Sequence, residues 1–451
     1  MAKITSNTIA RFLLAAHGAL AALTVDVENA DSVRAAAALV AEDLMSFYHG
    51  NETGQIPGIL PEEDYYWWTG GVLWNAMLDY RNRTGETKYD SVISQGLQWQ
   101  IGPNDDYLPL NTSASTGNDD QAFWALSALS ADESGLLAPA DLQWLTLAKN
   151  VFDEQHGDGR RVEYGDCEGA LRWQLFPASS GYNYVNSASN IGYFDVAAQL
   201  AYLTGNKTYL DAADDAFDLL ENLGFVSDKF DVYDGAHTDE CKSINKVQFS
   251  NTAANLLQGS AYLYNHTGGD DDWKERVDGL LDRTLELFFP DGVAFETACE
   301  KSNTCNTDMR FFKSILHRAL ASTMKLAPYT SAKILPVLKS SAKAAAAQCT
   351  GGDNGRMCGF HWSSGKFDDE TGAGPQMSVL SALVSILPEG ATAAAGTNTG
   401  SGNGSGSGSG SSGATEGTTS GDSPSQNMGA SVSTSLGALV GSLLIGGLLL
   451  A

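Results

Sequence analysis

Apolar residues recur at intervals of three and four along most of the chain and hardly ever alternate. This is the period of amphipathic helices rather than of half-buried strands. The pattern predicts twelve helices, over 31–48, 70–84, 88–101, 118–132, 139–155, 186–204, 207–223, 248–265, 271–288, 308–326, 330–348 and 374–387. Strand-like alternation is confined to short pieces such as 226–233. Three stretches share a design: "YRNRTGETKYDSVISQG" (80–96), "AYLTGNKTYLDAADDAF" (201–217) and "LYNHTGGDDDWKERVDG" (263–279). Each closes one helix at Thr-Gly and opens the next with an aromatic residue a few positions on. Glycine supplies the left-handed conformation that ends a helix, and the aromatic can pack the returning helix onto its partner. A helical hairpin cannot bury its apolar face alone, so its neighbours must stack on it. Twelve helices arranged this way predict an all-α fold, an (α/α)6 barrel of six helical hairpins, with an open solenoid as the alternative.

The two ends read differently. Residues 1–22 hold Lys3 and Arg11, then an apolar run over 12–23 broken by His17, with the small residues Ala19, Ala21 and Ala22. That order predicts a signal peptide. From 389 the chain turns to Gly and Ser with little to bury, predicting a flexible linker over 389–427 behind a folded domain of 31–388. The last residues, "SLGALVGSLLIGGLLLA", are apolar, end without a basic anchor and are shorter than the ~20 residues of a membrane span. With a polar spacer before them, they predict a GPI-attachment tail over 428–451, removed on processing, with Asn427 the candidate site and Gly421 and Gly429 as alternatives. A tail-anchored helix is the other reading.

Six cysteines with no C-x-x-C spacing predict disulfides of the secretory route. The simplest pairing joins Cys299 with Cys305 and Cys349 with Cys358, leaving Cys167 for Cys241, among fifteen formal possibilities. Glycosylation sequons stand at Asn51, Asn82, Asn111, Asn206, Asn265 and Asn403. The expected location is the cell surface, on the outer leaflet through the anchor, in the wall, or both.

Charge narrows the partners. With 54 acidic against 27 basic residues the formal net charge is -27, and no Lys/Arg cluster interrupts it, which excludes nucleic acid. A neutral glycan tolerates that field. The 9 Trp, 16 Tyr and 17 Phe could stack on sugar rings.

One pair of residues stands out in "STGNDDQAFWALSALSADE" (115–133). A helix start favours an acidic residue, because the dipole is positive there. A single acid satisfies that preference, yet Asp119 and Asp120 follow each other. Glycoside hydrolysis needs two carboxylates, placed ~5 Å apart in retaining enzymes. The helix terminus lowers both pKa values, and repulsion from an ionised neighbour raises one of them, which splits the pair into nucleophile and acid. Metal chemistry finds no comparable pattern. A DDxxD site would need an acid at Phe123, and "GGDDDW" (268–273) lacks the spacing of a calcium loop. No metal or cofactor is expected.

The segments "DYYWWTGGVLWNAMLDYRNRTGETKYD", "DYLPLNTSASTGNDDQAFWALSAL", "LRWQ", "ECKSINK", "CNTDMRFFK" and "CTGGDNGRMCGFHW" resemble the fungal branch of the mannan endo-1,6-α-mannosidases, glycoside hydrolase family 76, over about 35–385. The resemblance implies an (α/α)6 barrel, GPI anchoring, and action on α-mannan or the mannose core of GPI glycans, with β-glucan as a possible acceptor. It implies Asp119 as nucleophile and Asp120 as acid/base, with Trp68, Tyr107, Trp124, Trp173, Asn186 and Asn190 lining the cleft. A monomer is expected. Two places depart from the pattern: "QFSNTAANLLQG" (248–259), with Asn251, Thr252 and Ala254 where Trp-Ser-Tyr-Asn and a following Gly are usual, and Val185 where Lys is common. A wall mannan-binding protein without turnover is the alternative reading.

Overall fold

The computed structural model of the chain describes residues 22–112 and 116–390. The expected signal peptide up to residue 21, the linker from 391, the GPI tail, Asn403 and Asn427 lie outside the described residues. Twelve α-helices are present among those described: α1 (Ala30–Met45), α2 (Trp68–Thr84), α3 (Asp90–Trp99), α4 (Asn118–Glu133), α5 (Trp144–His156), α6 (Ser187–Thr204), α7 (Lys207–Asn222), α8 (Ser250–His266), α9 (Asp271–Phe288), α10 (Phe312–Leu326), α11 (Ser331–Ala347) and α12 (Ala373–Val384).

They form two concentric rings. Helices α2, α4, α6, α8, α10 and α12 touch in that order, and α12 closes back on α2. These six bury residues on nearly every face, as in α12, where all twelve residues are buried. Such helices have no polar face to show to water and belong inside. Helices α3, α5, α7, α9 and α11 each bury one stripe against an inner helix, α7 through Tyr209, Ala212, Ala213, Ala216, Phe217 and Leu220. Helix α1 packs mainly on α12 and completes the outer ring.

The Thr-Gly hairpins work as the pattern implies. Gly85 and Gly205 close α2 and α6 in the left-handed region, at φ 76° and 68°, where any side chain would be strained. The aromatic that follows packs inward: Tyr209 meets Phe152 edge-on at 4.8 Å, and Trp273 meets Phe217 at 5.7 Å. Several helix bounds differ from expectation, the clearest in α5, α1 and α10. Helix α5 starts only at Trp144, α1 ends at Met45, and residues 308–311 form a 3-10 turn ahead of α10. The strand reading of 226–233 is also corrected. Only Val226 and Val232 bridge there, and the two-stranded ribbon is β1 (Tyr184–Asn186) against β2 (Gly235–His237).

Short turns lead from α2, α4, α6, α8 and α10 to their outer partners, while the long connections 46–67, 100–117, 157–186, 223–249, 289–311 and 348–372 lead back inward. All six inner N-termini therefore gather at one end of the barrel, beneath the long loops. The disulfides Cys167–Cys241, Cys299–Cys305 and Cys349–Cys358 staple those loops. The loop 289–311 is held further by Lys313, which is fully buried and bonds Glu300 at 2.6 Å and the Phe360 carbonyl at 2.8 Å.

The opposite end is closed by charge. Arg83 is buried and bonds Asp79 (2.5 Å), Glu389 (2.9 Å) and the Leu387 carbonyl (2.8 Å), while Lys325 also reaches Glu389 at 2.6 Å. The packed unit thus reaches slightly past both expected ends, since Leu23 is also buried and its N–H bonds the Cys349 carbonyl. Removing one partner of a buried ion pair costs about 3–5 kcal/mol. Arg83→Ala is expected to lower the midpoint of thermal unfolding by several degrees, and Glu389→Ala, whose side chain is partly exposed, by less. Thermal melts followed by circular dichroism check this; an unchanged Arg83→Ala midpoint would remove the lock.

Candidate active site

The site is assembled from inner N-termini. Trp68 begins α2, Asn118 to Asp120 begin α4, Asn186 caps α6, and the 3-10 turn Asp308–Phe311 leads into α10. Helix dipoles directed at this mouth favour negative charge.

Asp119 and Asp120 are anchored in different ways. Asp119 Oδ1 accepts the N–H of Asp120 (3.0 Å), and its Oδ2 accepts Nδ2 of Asn186 (2.8 Å). Both oxygens of Asp119 thus receive donors. Asp120 Oδ2 accepts the Gly117 N–H at 2.7 Å, half of a capping box that the glycine has no side chain to complete. Its Oδ1 makes no hydrogen bond within the described residues. Gly117 is required for space rather than for backbone conformation: a Cβ there would lie 2.4 Å from Asp119 Oδ1 and 3.2 Å from Trp173 Cδ1.

Their proton affinities separate accordingly. Burial pushes Asp119 up to about 6; the Asn186 amide and the backbone donors work against that rise, and the Asp308 charge adds to it. Asp120 is pushed well above the carboxylate range, first by burial and then by the charge of Asp119, with only the Gly117 N–H opposing. The first is therefore the readier anion and the second holds its proton to higher pH, although they titrate as one coupled pair.

Behind the pair a polar clamp fixes the helix start. Asn118 is fully buried; its N–H donates to the Trp173 carbonyl (2.9 Å), its Nδ2 to the Arg172 carbonyl (2.8 Å), and its Oδ1 accepts from Arg160 (3.0 Å). Arg160 also bonds Gln121 at 2.6 Å and Glu154. The loop 157–186 is thereby fastened to the first turn of α4.

The six expected lining residues fall into two groups. Asn186 bonds Asp119, Trp173 stands beside Gly117 at the helix start, and Trp68 bonds Asp308. Trp68 packs on Phe123 (4.9 Å), and Trp173 is 37% exposed beside Gly117. Tyr107, Trp124 and Asn190 are buried within the packed wall. Tyr107 and Trp124 have no exposed surface and stack on each other at 5.6 Å, with Trp67 on the far side of Trp124 at 5.2 Å. Asn190 is buried and brackets Leu171, accepting its N–H (2.9 Å) and donating to its carbonyl (3.1 Å). The departures from the family pattern are buried too: Asn251 and Thr252 are each 4% exposed, and Val185 and Ala254 not at all.

Sequence reasoning missed Asp308. Its Oδ1 accepts the indole N–H of Trp68 at 3.1 Å, its charge acts on both Asp119 and Asp120, and burial pushes its own pKa up against that single donor. The block "CNTDMRFFK" contains it, but nothing in the spacing relates it to residues 119 and 120.

An α/α barrel whose mouth holds two adjacent carboxylates of unequal proton affinity, beside an exposed indole and an amide donor, has the parts of a glycoside hydrolase. Comparison with known proteins agrees: the glycosyl hydrolase family 76 model matches residues 32–398, and the chain belongs to that family. It is 40% identical over 370 residues to mannan endo-1,6-alpha-mannosidase DCW1 of Saccharomyces cerevisiae, covering 81% of each chain. It is 36% identical over 385 residues to mannan endo-1,6-alpha-mannosidase DFG5 of the same yeast, covering 84% of this chain and 82% of that one. Among solved structures, Dfg5 from Chaetomium thermophilum in complex with glucosamine matches at a TM-score of 0.78 with 44% identity, covering 80% of this chain and 92% of that one. The α-1,6-mannanase of Salegentibacter sp. HEL1_6 shares the fold at a TM-score of 0.62 and 15% identity, with 78% and 98% covered.

Two pH effects follow from the raised carboxyls. With Asp119 the expected nucleophile and Asp120 the expected acid, kcat/KM is expected to fall below about pH 6 and to fall again at the higher pH where Asp120 ionises. For stability, a folded pKa above the unfolded value gives a contribution complete below about pH 4 and lost as pH rises through the folded pKa. For Asp119 this amounts to about 3 kcal/mol, at ~1.4 kcal/mol per pH unit. Asp119→Asn and Asp120→Asn should therefore unfold at higher temperature than wild type at pH 7, with the gain disappearing near pH 4. Equal melting points at pH 7 would contradict the raised proton affinity of the pair.

Proposed function

We propose that the protein is a retaining endo-α-1,6-mannosidase or transglycosylase of the fungal cell surface, acting on α-mannan or on the mannose core of GPI glycans. The observation that carries this reading is the asymmetric anchoring of Asp119 and Asp120, one with both oxygens bonded by donors and the other with an oxygen left open.

The chemistry runs in two displacements. Asp119 attacks the anomeric carbon, the carbon–oxygen bond to the leaving sugar breaks, and the Asp120 proton moves to the departing oxygen. An ester to Asp119 results. Asp120, now a carboxylate, takes a proton from water or from a sugar hydroxyl. That oxygen attacks the anomeric carbon, the ester breaks, and Asp119 is restored as the anion. Asn186 holds the nucleophile's Oδ2 throughout, and Trp173 offers a face on which a sugar ring can stack.

Asp308 supports the finer choice of a GPI glycan. A third carboxylate beside the pair gives the mouth an excess of negative charge, which suits the ammonium group of an unacetylated glucosamine, and the Chaetomium relative is solved with that sugar. A β-glucan hydroxyl as acceptor in place of water would make the second step a transfer that joins a wall protein to glucan. We extend the same reading to a GPI anchor and a monomeric state.

Asp119→Asn and Asp120→Asn are each expected to lower turnover of an α-1,6-mannoside by at least a thousandfold while the protein stays folded. Turnover near wild type in either variant would end the assignment. Incubating wild type with a GPI glycan and a β-1,3-glucan oligosaccharide, and weighing the products, separates transfer from hydrolysis: a joined product is expected, and free mannose-ended glycan alone would leave hydrolysis.

A further inference from the structure

Trp99 is the last residue of α3 and is 60% exposed, its indole making no ring contact and no hydrogen bond to other described residues. An indole in water is costly to leave uncovered. It does not stand on an apolar patch. Around it, Ser91, Ser94, Gln95 and Gln98 line a shallow depression along the outer side of the helix, with Gln98 Nε2 donating to Ser94 Oγ at 2.8 Å. The opposite side of α3, through Ile93, Gly96 and Leu97, is packed into the barrel. From Ser91 to Trp99 the shelf runs ~12 Å, enough for two or three sugar rings laid along the helix.

The chemistry of this face differs from that of the protein around it. On a chain with twice as many acids as bases, its five lining residues carry no charge. The nearest acid along the helix, Asp90, is tied to Arg81 at 2.8 Å. Amides and hydroxyls that both donate and accept, next to one open aromatic face, suit a ring of hydroxyls with an apolar side. They offer nothing to a charged peptide, a nucleic acid or an anionic membrane. The shelf runs from the short-turn end of the barrel at Ser91 to the catalytic end at Trp99, where α3 closes and the loop 100–117 leads into Asp119.

We infer that the outer face of α3 is a second glycan-binding site, separate from the carboxylate mouth, that holds an uncharged β-glucan chain through stacking on Trp99 and hydrogen bonds from Gln95 and Gln98. The site rests on the wall-glycan reading above and adds to it a place where the acceptor polymer is captured before a free hydroxyl reaches the mouth.

The test is retention of the purified protein on insoluble β-1,3-glucan particles, with soluble mannoside turnover measured on the same preparations. Trp99→Ala is expected to lower the bound fraction at least fivefold, and the double variant Gln95→Ala/Gln98→Ala to lower it severalfold, with turnover of the soluble substrate unchanged in both. Trp99→Phe should keep most of the retention. Equal retention of wild type and Trp99→Ala, or Trp99-dependent retention on α-mannan particles in place of glucan, would overturn the inference. Turnover without glucan retention in wild type rejects the shelf alone. Trp99-dependent retention without turnover supports the shelf and rejects the enzymatic reading.

Discussion

Two neighbouring carboxylates are half-buried at the start of one helix, and much of this molecule is arranged to make that tolerable. Withdrawing an acid from solvent favours its neutral form, and a second acid alongside compounds the cost. The protein resolves the conflict unevenly. Asp119 is given an amide and a backbone donor, so a charge can persist on it. Asp120 receives one backbone donor and the field of its neighbour, so it retains a proton. Neither state would hold in an isolated helix, where both acids would be hydrated and ionised.

The barrel supplies what the pair needs. Six inner helices directed to one mouth bring Trp68, Asn186 and Asp308 from separate parts of the chain to within reach of α4. Long loops provide the covering walls, pinned by three disulfides and by the buried Lys313–Glu300 pair. The opposite end carries none of this chemistry. It holds the short Thr-Gly turns, the Arg83–Glu389–Lys325 lock and three of the sequons, at Asn82, Asn206 and Asn265. Any glycan on those asparagines projects from the end away from the carboxylates.

Much of the architecture was legible in the pattern of apolar positions, because inner and outer helices both keep the helical period and the Thr-Gly-aromatic hairpins recur. The Gly-Asn-Asp-Asp block was legible because two acids exceed what a helix start requires. What escaped was relational. The role of Asn118 as a clamp depends on the carbonyls of Arg172 and Trp173, and that of Asp308 on Trp68, contacts across wide sequence separations that only closure of the ring creates. Tyr107, Trp124 and Trp173 are equally aromatic in the sequence, yet only Trp173 shows a face to solvent. Identity alone does not reveal which side of a wall a ring occupies. The altered stretch near Asn251 reads in the sequence only as a departure from the family pattern, and burial places those side chains within the packed wall.

The central claim is that Asp119 is the group that bonds to sugar while Asp120 handles the proton. Mass spectrometry of the protein after incubation with a 2-deoxy-2-fluoro-α-mannosyl fluoride tests it most directly, since slow release of a fluorinated glycosyl group lets the ester accumulate. The account predicts one added fluoromannosyl mass, located by proteolysis on the peptide containing residue 119 and assigned by fragmentation to Asp119. An adduct on Asp120 or Asp308, or hydrolysis with inversion and no adduct, would contradict it.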